Sequence, residues 1–202
     1  NFTEHAAIAV AAVGGVLAAR GKRIDLFGVV VLALVTAYGG GTVRDLLVGN
    51  MPVTWLRSPY YLLNGTLTAL VAFAVARWRE IPPTGLLVAD AFALALFTIM
   101  GTTKGHSLAL SAPVCVLLGL ITGVAGGIVR DVLLGEVPMV FQPQIHLYAT
   151  AALTGAVLFM SLTAAHFPNL VATLAGIGAV LLLRWVGIQL KLSLPLFETR
   201  GS

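Results

Sequence analysis

Charge is what this sequence has least of. Only 10% of its 202 residues are Asp, Glu, Lys or Arg, against 58% hydrophobic residues and a mean hydropathy of +0.98. So few polar residues cannot cover the surface of a water-soluble fold, whereas a chain crossing a bilayer many times needs few. The chain reads as an all-α integral membrane protein. Cysteine is almost missing: Cys115 stands alone in an apolar run, which excludes an intramolecular disulfide and a cysteine-rich metal site and leaves a small buried residue. His5, His106, His146 and His166 are scattered without metal-ligand spacing, so no structural metal is expected. No nucleophile-base constellation, phosphate loop or dinucleotide fingerprint occurs, which argues against an enzyme and against a bound cofactor. The formal charge of +4 sits on Lys and Arg of connecting segments, a topology signal and not a nucleic-acid surface.

Hydropathy and helix breakers mark seven candidate spans with short loops. They run from Thr3 to Ala19, Ile24 to Val48, Pro59 to Arg77, Gly85 to Thr103, Leu108 to Leu134, Pro143 to Ala165 and Pro168 to Leu190. The first lacks a small-residue cleavage site and reads as a retained span, while Thr199-Arg200-Gly201-Ser202 resembles an expression scar. Arg20, Lys22, Arg23, Arg77, Arg79, Lys191 and Arg200 collect on one side, with Arg57 and Lys104 on the other. The positive-inside rule then places the N-terminus outside and the C-terminus in the cytoplasm. Trp55, Trp78, Tyr60 and Tyr61 fall near span ends and suit an aromatic belt.

What is abundant is repetition. The stretch Gly39-Gly40-Gly41-Thr42-Val43-Arg44-Asp45-Leu46-Leu47-Val48-Gly49-Asn50-Met51-Pro52 returns as Ala125-Gly126-Gly127-Ile128-Val129-Arg130-Asp131-Val132-Leu133-Leu134-Gly135-Glu136-Val137-Pro138. An offset of 86 positions (130 − 44) also aligns Glu4 with Asp90, Gly15 with Gly101, Thr36 with Thr122, Thr68 with Thr154 and Phe73 with Phe159. Repeat one spans about 1–83 and repeat two about 84–166, with a seventh helix over about 168–190. Each repeat has three spans, an odd number, so the second enters the bilayer from the opposite side: an inverted 3+3 repeat plus one helix in a single transmembrane domain. That seventh helix reads as peripheral packing or an oligomer contact, with Arg184 snorkelling toward the cytoplasm.

The repeated residues offer chemistry that a cation needs. Gly39, Gly40, Gly41, Gly126 and Gly127 invite kinks that free backbone carbonyls, hard oxygen ligands that replace part of an ion's hydration shell. Close helix packing through small residues is the other reading of the same glycines. Thr36 and Thr122 lie one turn before Gly40 and Gly126, where their hydroxyls face either a permeating ion or the carbonyl of the preceding turn. Helical rise places Glu4 level with Gly40 and Arg44 on the outer side, and Asp90 level with Gly126 and Arg130 on the cytoplasmic side. These acids attract a cation, or else are plain helix-start and interfacial residues. Neighbours on a helix do not face each other, so Arg44 and Asp45, like Arg130 and Asp131, are expected to seek separate partners, in a scaffold or in a pore. Lys104 is either a movable gating charge or an ordinary interfacial lysine.

The paired motifs GGGTVRDLLVGNMP and AGGIVRDVLLGEVP, the acid opening each repeat in EHAAIAVAAVGG and DAFALALFTIMG, and the 3+3+1 layout resemble the bacterial and archaeal trimeric intracellular cation (TRIC) channels. The resemblance covers nearly the whole chain. It implies a homotrimer in the lipid bilayer, each subunit with its own pore lined by kinked second and fifth helices, passing potassium or sodium with a preference for potassium. Related sequences are also labelled glycine transporters. The sequence departs at Ala125, which stands where the first copy has Gly39, and it lacks the basic lipid-binding signature of animal members. The implied function is a monovalent cation channel; the alternatives are a secondary transporter of a small solute such as glycine and a non-conducting membrane scaffold.

Overall fold

The structure, a computed structural model, describes residues 2–82, 84–142 and 147–190. Pro143, His146, Lys191 and Thr199–Ser202 lie outside these residues. Among the described residues the regular structure is helical: α1 (Phe2–Ala18), α2 (Leu26–Leu47), α3 (Pro59–Trp78), α4 (Thr84–Ser107), α5 (Ala112–Leu133), α6 (Tyr148–Ala164) and α7 (Asn169–Leu190), with short 3-10 turns at Thr54–Arg57 and Met139–Phe141. Five of them, α2, α3, α4, α5 and α7, are long and apolar enough to cross a membrane, and α1 and α6 are shorter apolar helices of 17 residues. The expected boundaries move by four residues on each side of the α4–α5 connection. There α4 runs on to Ser107, and Ala109, with φ at 54°, turns the chain so that α5 starts at Ala112 and not Leu108.

Side-chain size is distributed inside out. Ala7, Ala11, Ala12, Ala33, Ala37, Ala69, Ala95, Ala151, Ala152, Ala156 and Ala172 are buried, while Leu62, Leu63, Leu67, Val71, Leu117, Leu174 and Trp185 face outward. Lipid tails solvate a leucine as well as a protein core does, so only close backbone approach distinguishes the interior. Small residues inside and large apolar ones outside are the result. The repeats pack alike: α1 lies on α2 and α3 as α4 lies on α5 and α6, and α2 crosses α5 at the centre. The helix α7 lies against α6 and α4.

Local signals set the helix ends. Asp25 caps α2 by accepting from Gly28 N at 2.8 Å, and Ser58 caps α3, whose first residue is Pro59. At the far ends of α2 and α5, Gly49 (φ 65°) and Gly135 (φ 69°) adopt the left-handed conformation that glycine tolerates best. Asn50 N and Glu136 N then return to the carbonyls of Asp45 and Asp131 at 2.8 and 2.9 Å, closing the same C-terminal cap twice. The last glycine of each motif therefore terminates its helix. Lys22 pairs with Glu136, joining the α1–α2 connection to the segment after α5.

Candidate functional site

The glycine motifs meet each other. A Cβ added at Gly40 would lie under 3.0 Å from the carbonyl oxygen of Thr122, and one added at Gly126 under 3.0 Å from that of Thr36. At Gly39 it would stand 3.3 Å from the Cα of Gly126. Since Gly40 and Gly126 are repeat equivalents, as are Thr36 and Thr122, the crossing of α2 and α5 is reciprocal. The expected helix break is corrected here: α2 and α5 run unbroken through Gly39, Gly40, Gly41, Gly126 and Gly127. Without competing water, a backbone carbonyl gains little by leaving the helical ladder, and the missing side chains of Gly40 and Gly126 serve the close approach of the two helices. The threonines follow suit. Thr36 Oγ1 donates to Leu32 O at 2.7 Å and Thr122 Oγ1 to Leu118 O at 2.6 Å, and each packs against the equivalent glycine of the preceding helix in its own repeat, Gly15 or Gly101.

The charged pairs overturn a second expectation. Arg44 Nε donates to Asp45 Oδ1 at 2.9 Å, and Arg130 Nε to Asp131 Oδ1 at 2.7 Å, so each arginine pairs with its own neighbour. The helical spacing rule describes Cβ directions, but a guanidinium on a long stem in the last turn folds back over the helix end. The second carboxylate oxygen is equally occupied. Asp45 Oδ2 accepts from Thr54 N at 2.6 Å and Asp131 Oδ2 from Met139 N at 2.8 Å, the first residues of the two 3-10 turns. Nothing in the hydropathy pattern marks Thr54 or Met139 as partners.

The acids opening the repeats behave differently. Asp90 is buried, and its Oδ1 accepts from Arg130 Nη1 at 3.1 Å, joining the depths that the repeat offset equates. Glu4 is half-buried and accepts from the Tyr61 hydroxyl, while Arg44 bonds Asp45 and, at 3.2 Å, Thr54 Oγ1. Glu4 and Arg44 share the wall of a cavity of about 30 Å³ with Tyr38, Gly41, Tyr61 and Phe97. A wider vestibule of about 430 Å³ adds Thr103, Lys104, Ser107 and Asn169 to Glu4 and Arg44, which puts Lys104 and Glu4 on one wall. A third cavity, of only about 20 Å³, is lined by Thr36, Gly40, Asp90, Thr122, Gly126, Gly127 and Arg130. Phe97 lines the first and the third and stands between them.

Three residues depart from what their sequence position suggests. Trp55 and Tyr61 do not join an outer belt: Trp55 Nε1 donates to Thr42 Oγ1 at 3.0 Å and stacks on Tyr38, and Tyr61 reaches Glu4. Tyr60 and Trp78 are exposed, as a belt requires. Arg184 does not snorkel; it is fully buried, with its guanidinium carbon 4.7 Å from the ring centre of Tyr148. Its place on the face of α7 that packs on α6 and α4 decides this, and only the packing reveals it. Tyr148 carries no motif in the sequence, although it begins α6 much as Tyr61 stands near the start of α3.

Comparison with known proteins agrees with this architecture. The family model described as Glycine transporter matches residues 1–77 and 87–164, two segments whose starts lie 86 positions apart (87 − 1), the offset of the repeat. A UPF0126 membrane protein of Vibrio cholerae is 42% identical over 94% of this chain and 79% of its own length, and the UPF0126 inner membrane protein YadS of Escherichia coli is 39% identical over 94% and 91%. Among solved structures, the TRIC trimeric intracellular cation channel orthologue from Rhodobacter sphaeroides superposes with a TM-score of 0.89 at 34% identity, covering 95% of this chain and 97% of that one. A TRIC cation channel described in a study of conductance gives 0.88 at 32% identity, covering 100% and 98%. The doubled glycine-arginine-aspartate motif, the seven-helix fold and these similarities together show that this integral membrane chain belongs to the prokaryotic TRIC cation channel family, which the Glycine transporter description also covers, and not to a family of enzymes.

Proposed function

We propose that the protein is a monovalent cation channel, conducting potassium along a path inside each subunit. The observation that carries this is the line of cavities from the Glu4 vestibule past Phe97 to Asp90 and Arg130, wholly within one chain and bordered at both ends by a carboxylate. Acids at the mouths draw cations and turn anions away, whereas a path without a ring of fixed ligands discriminates weakly between potassium and sodium. The repeats are inverted in this reading, supported by the reciprocal α2–α5 crossing, and the Glu4 end faces outward in a plasma (inner) membrane. Three copies assemble, as the relatives' descriptions suggest. Purified protein in liposomes with a potassium gradient is expected to pass potassium quickly without a co-solute. Saturable uptake of glycine without such flux would reject the channel.

A carrier for a small solute is the second reading. Asp90 Oδ2 and Arg130 Nη2, both buried, have no hydrogen-bond partner among the described residues, and both residues line the innermost cavity. An unmet acceptor and donor in one chamber suit an ammonium and a carboxylate, as in glycine. The same uptake measurement separates the two.

A further inference from the structure

The charged residues that line the Asp90 end have counterparts at the Glu4 end, with one addition from α7. Glu4, Arg44 and Asp45 match Asp90, Arg130 and Asp131, and a tyrosine attends each acid: Tyr61 donates to Glu4, and the Tyr148 hydroxyl, Asp90 Oδ1 and Arg130 Nη2 would lie 3.4, 3.6 and 3.7 Å from a Cβ added at Gly127. Both groups carry two acids and one arginine. At the Asp90 end all three are buried, so their excess negative charge has no bulk water to screen it. Arg184 supplies the missing positive charge from α7, the one helix outside the repeat. Its guanidinium lies over the ring of Tyr148, whose hydroxyl meets Asp90 Oδ1 around Gly127. A cation held by an aromatic face and a carboxylate is the arrangement by which a protein replaces the hydration of a free monovalent ion.

We propose that Arg184 is a tethered counter-cation that fills a monovalent-cation site formed by Asp90 and Tyr148, so that α7 brings to the Asp90 end the charge that a bound ion would otherwise supply. The proposal deepens the channel reading and rests on it for the path, but the occupancy itself is testable without conduction.

The test follows the melting temperature of the purified protein in detergent, in potassium chloride against N-methyl-D-glucamine chloride at equal ionic strength, the latter cation being too large for the site. Wild type should melt alike in both salts. Arg184→Gln should lose roughly 10 °C in the organic salt, because a buried acid is left uncompensated, and should regain most of it in potassium. Arg184→Lys keeps the charge and should show no potassium dependence. Where Arg184→Gln does not fold, the double variant D90N/R184Q decides, since removing both charges should restore folding without potassium. Equal melting of Arg184→Gln in the two salts, or a double variant no better than the single, would overturn the proposal. Wild type that passes no potassium in liposomes defeats the channel reading and leaves the melting result standing on its own.

Discussion

The two ends of the subunit are built from one duplicated set of side chains and are closed in different ways. At the Glu4 end the acid is half-buried on a wide vestibule, and Arg44 is engaged with Asp45 and Thr54. At the Asp90 end the acid is buried, bridged to Arg130 and overlooked by Arg184. Sequence duplication copies the groups but not their solvent. Field strength at each end is then decided by what covers it: an open cavity in one case, α6 and α7 in the other.

The comparison breaks most readily at the arginines. Arg130→Ala leaves Asp90 and Asp131 buried without their partner and is expected to cost about 3–5 kcal/mol, against about 2–3 kcal/mol for Arg44→Ala, which strands one buried carboxylate, Asp45, while Glu4 stays half-exposed. Thermal unfolding in detergent checks the difference, and equal losses would erase the distinction between the ends. At the shared crossing, Gly40→Ala and Gly126→Ala drive a methyl into backbone carbonyls and should each cost about 3 kcal/mol or more, seen as lost assembly. Gly127→Ala meets only side-chain atoms at 3.4 Å and beyond, so it should fold and alter flux instead.

Selectivity sharpens the contrast further. Glu4→Gln should lower cation-over-anion preference by a modest factor that shrinks as salt rises, because a vestibule charge is screened. Asp90→Asn leaves Arg130 and Arg184 facing Asp131 alone and should suppress cation flux at every salt concentration. Reversal potentials and currents across a potassium chloride gradient measure both, and matching responses would restore the symmetry that the repeat implies. Lys104→Gln, on the vestibule wall, should have the smallest effect, less than about twofold in low-salt conductance.

Much of this is legible in the sequence. The helices, the 86-residue offset and the shared depth of Asp90 and Arg130 follow from hydropathy and spacing alone. The departures share a cause. Reading Arg44 and Asp45 as back-to-back neighbours treats side chains as directions, whereas an arginine in a last turn reaches its neighbour across the helix end. The glycines look like breaks when one helix is considered at a time, and a crossing exists only between two. Arg184 looks like a snorkelling charge because its neighbours Tyr148 and Asp90 are far away in the chain.

Asp45 and Asp131 each grip a guanidinium with one oxygen and the backbone of the following turn with the other. A carboxylate is flat and stiff, so these two grips cannot move independently. The arginine at each mouth and the loop beyond it are therefore mechanically one part, and a rotamer change of Arg44 or Arg130 that keeps its aspartate must carry Thr54 or Met139 with it. Displacement of either guanidinium is coupled to displacement of the 3-10 turn that follows its helix, as a latch is coupled to its handle.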